Sequence, residues 1–151
     1  HEDSTQKSGV IGYSMGATVS LKGSLDDSID CVVADSLPID LDATSARSLD
    51  YFAGLPSFLY NLIKPMAVLL FDINHEDMLG YAEDVDTPLL LIAGKNDPIV
   101  KVSEIKDFYE INRKNNNDVK IWTTEAAHVR SLKENPNKYK DRITSFLKQN
   151  M

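Results

Sequence analysis

Val10-Ile11-Gly12-Tyr13-Ser14-Met15-Gly16-Ala17-Thr18-Val19-Ser20-Leu21-Lys22 is the stretch whose reading decides the fold. A β-branched apolar run enters Gly-x-Ser-x-Gly and an amphipathic helical pattern leaves it, so the stretch reads as strand, tight turn and helix. A serine at such a turn is held in a strained backbone conformation, with its hydroxyl above the edge of the sheet. Gly12 and Gly16 are expected to be glycine because side chains would collide there. A helix that starts at Met15 aims its unpaired N–H groups and the positive end of its dipole at the serine. Gly-x-Ser-x-Gly alone is a common pattern. The flanking strand and helix, with partners further along the chain, make it specific.

Working outward, 151 residues suffice for one domain with a real core. The hydrophobic fraction of 42% and charged fraction of 26% are ordinary for a globular protein. A net charge of −7, with no cluster of Lys or Arg, argues against a nucleic-acid surface and reads as a solvated acidic exterior. Cys31 is the single cysteine and sits in the apolar run Cys31-Val32-Val33-Ala34. It cannot form an internal disulfide, has no neighbours at metal-ligand spacing, and reads as a small buried hydrophobe. No run approaches the ~18 apolar residues of a membrane span, and no signal peptide is recognisable. Residues 1–7 are polar, lack an initiator methionine and lead straight into what reads as an internal strand, so a piece of a longer chain is expected. One cysteine fits the cytosol, the favoured compartment, and equally a parent anchored at a surface.

In order, residues 7–11 read as a strand, 15–22 as a helix closed by Gly23, and 29–34 as a second strand running into Asp35-Ser36-Leu37-Pro38. Continuous apolar strands separated by helices predict a parallel sheet buried on both faces. The alternation stops between residues 39 and 83. There, 42–53 reads as a helix closed by Gly54, and 56–71 as an apolar helix interrupted or kinked at Pro65. Asn74 looks like the N-cap of a short helix to Ala82, with Glu76 and Asp77 in its first turn. A connection this long is expected to include a lid or cap, and the stripe Phe58, Leu59, Leu62, Ile63 is expected to serve packing. Residues 89–93 form the strongest strand, followed by the turn Gly94-Lys95-Asn96-Asp97-Pro98. Beyond it come an amphipathic helix over 103–114, a strand over 119–123, a loop holding His128, and a last helix capped by Asn135-Pro136.

Ser14, Asp97 and His128 each fall just past the carboxyl end of a predicted strand. In an open parallel sheet those ends share one edge, where ligands bind. A serine hydroxyl is a poor nucleophile at neutral pH and needs a base. His128 would take its proton, and Asp97 would fix the tautomer and steady the imidazolium. A lone Asp before proline is ordinarily a turn residue and a lone histidine a surface one. The serine motif and the order Ser, acid, His weigh the other way. His1 is terminal and His75 sits beside a predicted N-cap, so neither competes. Asp35 also ends a strand and is the rival acid. The Met15 N–H would supply one oxyanion donor, whereas the second ordinarily follows an earlier strand that these residues do not include.

On Gly12-Tyr13-Ser14-Met15-Gly16-Ala17, on Pro88 through Val100, and on His128-Val129-Arg130-Ser131 running to Pro136 and Tyr139, the chain resembles the C-terminal half of a serine α/β-hydrolase. It is similar to the small-cap group that includes Bem46-like and serine-aminopeptidase-like proteins. The resemblance implies an α/β fold: strands five to eight of the α/β-hydrolase fold, flanking helices, and a cap insertion at about residues 39–83. Residues 1–151 would then form one partial domain without its N-terminal half. It also implies hydrolysis of a small-molecule ester or thioester, less often an amide, with no metal or cofactor. Ser14 would be nucleophile, His128 base, Asp97 acid and Met15 an oxyanion donor. Two alternatives stand beside this. One is a peptidase of the same fold; the other is a non-catalytic module that forms a homodimer, or docks to the N-terminal half, through the strand edge at residues 7–11.

Overall fold

The computed structural model describes residues 7–26, 28–71 and 78–151. Its apolar runs form a single sheet of β1 (Gly9–Tyr13), β2 (Cys31–Asp35), β3 (Leu89–Gly94) and β4 (Val119–Thr124), all parallel and in chain order. Alternate residues serve opposite faces. Val32, Ala34, Leu89, Leu91 and Ala93 pack with Ala17 and Leu21 of α1 (Met15–Gly23) and with Ile105 and Phe108 of α4 (Val102–Asn112). On the other face Cys31, Val33, Leu90, Ile92 and Trp122 meet Tyr139, Ile143 and Phe146 of α6 (Pro136–Asn150). Helices on both faces explain why β2 and β3 are buried at every position and carry no polar alternation. Each such aliphatic side chain contributes roughly 1.5–3 kcal/mol.

Register sets the working edge. Tyr13 lies beside Asp35, Asp35 beside Ile92, and Gly94 beside Thr124, so all four strands end on the same side. β1 starts two residues later than the sequence predicts and runs through Tyr13, because Gly12 and Tyr13 still pair with Ala34 and Asp35. β2 is displaced in the same sense. Among the described residues β1 has a strand neighbour on one side only.

Between β2 and β3, α2 (Leu41–Ala53) is capped by the Asp40 side chain, which accepts from the Ala43 N–H, and is closed by Gly54 at a left-handed φ of 63°. α3 (Leu59–Phe71) begins after a turn at Pro56 and runs through Pro65 without interruption. Of the stripe predicted to pack, only Leu59 is half-buried. Phe58, Leu62 and Ile63 are 64%, 69% and 46% exposed. The reason is that α3 meets α2 through a polar face, where Tyr60 and Lys64 both bond the Asp42 carboxylate. A single turn of tight helix, Met78–Tyr81, leads back to the sheet. The predicted cap at Asn74, together with His75, Glu76 and Asp77, lies outside the described residues, as does His1. Near the end, α5 (Ser131–Glu134) is an extra turn that the sequence reading lacks, and the Asn135 side chain makes no capping bond to α6. No described helix is long and apolar enough to cross a membrane.

Candidate active site

One residue, Ser14, separates the end of β1 from the start of α1, and it does so at φ 49° and ψ −122°. Such a conformation is costly for a residue with a side chain and persists only where its surroundings hold it. The Ser14 N–H donates to the Asp35 carbonyl at 2.9 Å, and the Ser14 carbonyl accepts from the Ala17 N–H at 2.8 Å. The helix leaves so close to the strand that a Cβ at Gly12 would sit 2.5 Å from the Gly16 carbonyl oxygen and 2.6 Å from the Ala17 Cα. Gly16 differs from the expectation: a Cβ there would have nothing within 4 Å, because this residue is on the outer side of the turn. The N–H groups of Met15 and Gly16 stand at the N-terminus of α1, which leaves them without intrahelical partners.

Asp97 and His128 come from neighbouring strand ends. After β3 the chain turns across β4, with the Lys95 N–H donating to the Thr124 carbonyl at 2.8 Å and the Asn96 N–H to the Ala126 carbonyl at 3.2 Å. Gly94 allows this approach, since a Cβ would run into the Ala126 carbonyl oxygen. Asp97 Oδ1 accepts from the Ile99 and Val100 N–H groups at 2.8 and 2.9 Å, which leaves Oδ2 for His128 Nδ1 at 2.8 Å. His128 Nε2 lies 2.9 Å from Ser14 Oγ. An ionised carboxylate only accepts, so Nδ1 carries the proton and Nε2 is free to accept from the serine hydroxyl. Burial pushes the Asp97 carboxyl up, but the bond from His128, the two backbone N–H bonds and the His128 charge outweigh it and hold it below the usual range. The Asp97 side chain is 1% exposed and that of His128 13%, so the acid is shielded while the imidazole stays within reach of solvent.

The rival acid has other partners. Asp35 accepts from the Tyr139 hydroxyl through Oδ2 at 2.9 Å and from the Ser36 hydroxyl through Oδ1 at 3.1 Å. Burial raises its carboxyl above the ordinary value, against the opposing pull of those two bonds. The sequence points to Asp35 as the end of an apolar strand, but nothing local marks Ser36 or the Tyr139 hydroxyl as its partners. Arg47 of α2 is likewise invisible in the sequence. It donates to the Ile99 carbonyl at 2.5 Å and forks onto Glu104 with two bonds of 2.9 Å, tying α2 to the turn that holds Asp97. Cys31 is buried, and that burial raises its thiol, as does the nearby Asp30 charge. Among the described residues no three His, Cys, Asp or Glu side chains are grouped so as to hold a metal ion.

No protein-family model and no curated protein sequence matches the chain. Solved structures do. An esterase of Pyrococcus furiosus is 44% identical, with a TM-score of 0.81, over 96% of this chain and 55% of its own. A serine hydrolase involved in carbazole degradation superposes with a TM-score of 0.66 at 15% identity, over 96% of this chain and 65% of its own. For a monoacylglycerol lipase of Paleococcus ferrophilus the TM-score is 0.64 at 20% identity, over 97% of this chain and 70% of its own. At such identities the latter two speak to the fold alone. The chain spans about half the length of the Pyrococcus esterase.

Proposed function

The chain has the α/β-hydrolase fold, and from that premise we propose that it carries the nucleophile, base and acid of a serine hydrolase acting on carboxylic esters or thioesters. The observation that carries this reading is the unbroken row from Asp97 Oδ2 to His128 Nδ1 at 2.8 Å and from His128 Nε2 to Ser14 Oγ at 2.9 Å. Its setting, on a strained residue between strand and helix at the carboxyl edge of a parallel sheet, supports it further. Similarity to a protein named an esterase favours esters over amides.

In this reading Ser14 Oγ attacks the acyl carbon as its proton passes to His128 Nε2. The carbonyl π pair moves onto oxygen, and Asp97 steadies the imidazolium. Collapse breaks the bond to the leaving alkoxide or thiolate, which takes the proton from Nε2 and departs. Water then adds to the acyl carbon as Nε2 takes its proton, the bond from that carbon to Ser14 Oγ breaks, and the proton returns from Nε2 to Oγ as the acid leaves. The Met15 N–H meets the developing oxyanion. Such sites ordinarily use two donors, and this reading draws the second from a loop after an earlier strand of the complete fold. Loss of one donor lowers the rate by about 10²–10³. Residues 39–83, with α2 and α3, would form the cap.

The test is covalent labelling with a fluorophosphonate, together with hydrolysis of a short-chain aryl ester, for wild type and Ser14→Ala. Labelling and turnover that disappear in Ser14→Ala are expected. An unlabelled wild type would overturn the enzymatic reading for this chain. One observation favours a second reading: among the described residues β1 is paired on one side only, with Ile11, Tyr13, Met15 and Val19 exposed around it. An unprotected edge of this kind invites a homodimer or docking of another segment. Under that reading the chain sediments above its monomer mass, and Ile11→Lys returns it to monomer.

A further inference from the structure

We propose that Asp35 and Ser36, at the end of β2, are positioning residues that hold Ser14 and His128 in register with each other; this rests on the hydrolase reading above. The two residues reach both reacting side chains through the backbone. The Asp35 carbonyl accepts the Ser14 N–H at 2.9 Å. The Ser36 hydroxyl accepts the N–H of Val129, the residue after His128, at 3.2 Å. That hydroxyl donates its own proton to Asp35 Oδ1 at 3.1 Å, so its one hydrogen and an oxygen lone pair are both used. Asp35 is fixed in turn by the Tyr139 hydroxyl at 2.9 Å, and the Ser36 N–H by the Ile92 carbonyl at 2.9 Å. Both residues are 1% exposed, so water does not compete for these bonds.

Backbone strain marks the same residues. Among the described residues, three that are not glycine have a positive φ: Ser14 at 49°, Ser36 at 55° and Val129 at 53°. A β-branched residue in the left-handed region is an outlier that its surroundings must impose. Two contacts hold it there: the Arg130 N–H closes a turn onto the Ala127 carbonyl at 3.0 Å, and the Ser36 hydroxyl pins that turn to β2 through the Val129 N–H, directly after His128. One buried dipeptide thus constrains the nucleophile from one side and the base from the other. Neither Asp35 nor Ser36 bonds the imidazole or Ser14 Oγ in the structure, so they act by placing the groups that do.

Ser36→Ala tests this directly, because alanine meets the same φ with a β-carbon but removes the hydroxyl. The expected result is a fall in kcat of about 10- to 100-fold with KM little changed, the signature of misplaced reacting groups. Faster hydrogen exchange at the Val129 amide should accompany it, along with broadening of the His128 Nδ1–H resonance. Asp35→Asn keeps an oxygen for Ser36 and a partner for Tyr139, so it should retain most of the rate that Asp35→Ala loses. A folded Ser36→Ala with wild-type kcat and wild-type Val129 exchange would overturn the proposal. So would an Asp35→Asn as impaired as Asp35→Ala, which would make the carboxylate charge itself the requirement. If Ser36→Ala fails to fold, Ser36→Cys carries the same comparison, with a weak sulfur acceptor in the same shape. Exchange separates the two readings. A wild type that does not react with fluorophosphonate, yet loses Val129 protection in Ser36→Ala, fails as a hydrolase while the positioning contact stands.

Discussion

A methyl group added at Gly12 would meet the Gly16 carbonyl and the Ala17 backbone, whereas one added at Gly16 would meet nothing within 4 Å. The two glycines of one motif should therefore answer oppositely to alanine. Gly12→Ala forces α1 away from β1 and is expected to lower unfolding free energy by at least about 1–3 kcal/mol. Gly16→Ala, inside a helix, should raise it by up to about 1 kcal/mol. Urea denaturation measures both, and equal losses would contradict the steric argument. At this scale the sequence was most informative where local chemistry marks a residue. Ser14 sits in its motif, Asp97 in a Gly-Lys-Asn-Asp-Pro turn, and His128 in a loop after a strand. Ser36 was illegible because its partner, the Val129 N–H, is 93 residues away and approaches only when the strands assemble.

Among the elements, α2 owes its position to Arg47, whose fork on Glu104 is 19% and 20% exposed at its two ends. A shielded bidentate pair should couple more strongly than an open one. A double-mutant cycle of Arg47→Met with Glu104→Gln is expected to give about 1–3 kcal/mol. The same cycle at Lys95 and Glu125, whose side chains are 55% and 71% exposed, should give less than about 1 kcal/mol. Because the Arg47 Nε–H also bonds the Ile99 carbonyl, Arg47→Met should slow turnover by loosening the turn around Asp97. The sequence showed α2 to within one residue of its start and marked its end at Gly54, whereas the Asp40 cap emerges only in the structure. It misjudged which face of α3 turns inward. An apolar stripe predicts burial only when an apolar partner exists, and the partner here is the Asp42 carboxylate.

Across the whole molecule, two buried carboxyl groups at one sheet edge are shifted from their ordinary range in opposite directions. Asp97 is held below the ordinary value, so its contribution to stability is full above about pH 3.9 and is lost as the pH falls further. Asp35 is raised, so the folded state binds its proton more readily than the unfolded state. Its burial weighs against stability at neutral pH, and the penalty fades as the pH falls toward about 3.9. Relative to wild type, Asp35→Asn should therefore be most favoured near pH 7 and lose that advantage toward pH 4, as read from urea midpoints. A difference that does not vary with pH would contradict the burial of a charged Asp35. Parallel topology and its order were legible from apolar runs separated by helices. The pairing of opposed carboxylates was not, because it depends on which strand ends meet.

The bond between His128 and Ser14 joins residues 114 positions apart. Closing so long a loop demands much chain entropy before any contact repays it, so such a contact forms late in folding. In the hydrolase reading the serine stays inert until the last loop of the sheet edge arrives. Its reactivity would then serve as a clock for assembly: during refolding, fluorophosphonate labelling should lag behind the return of helical circular dichroism.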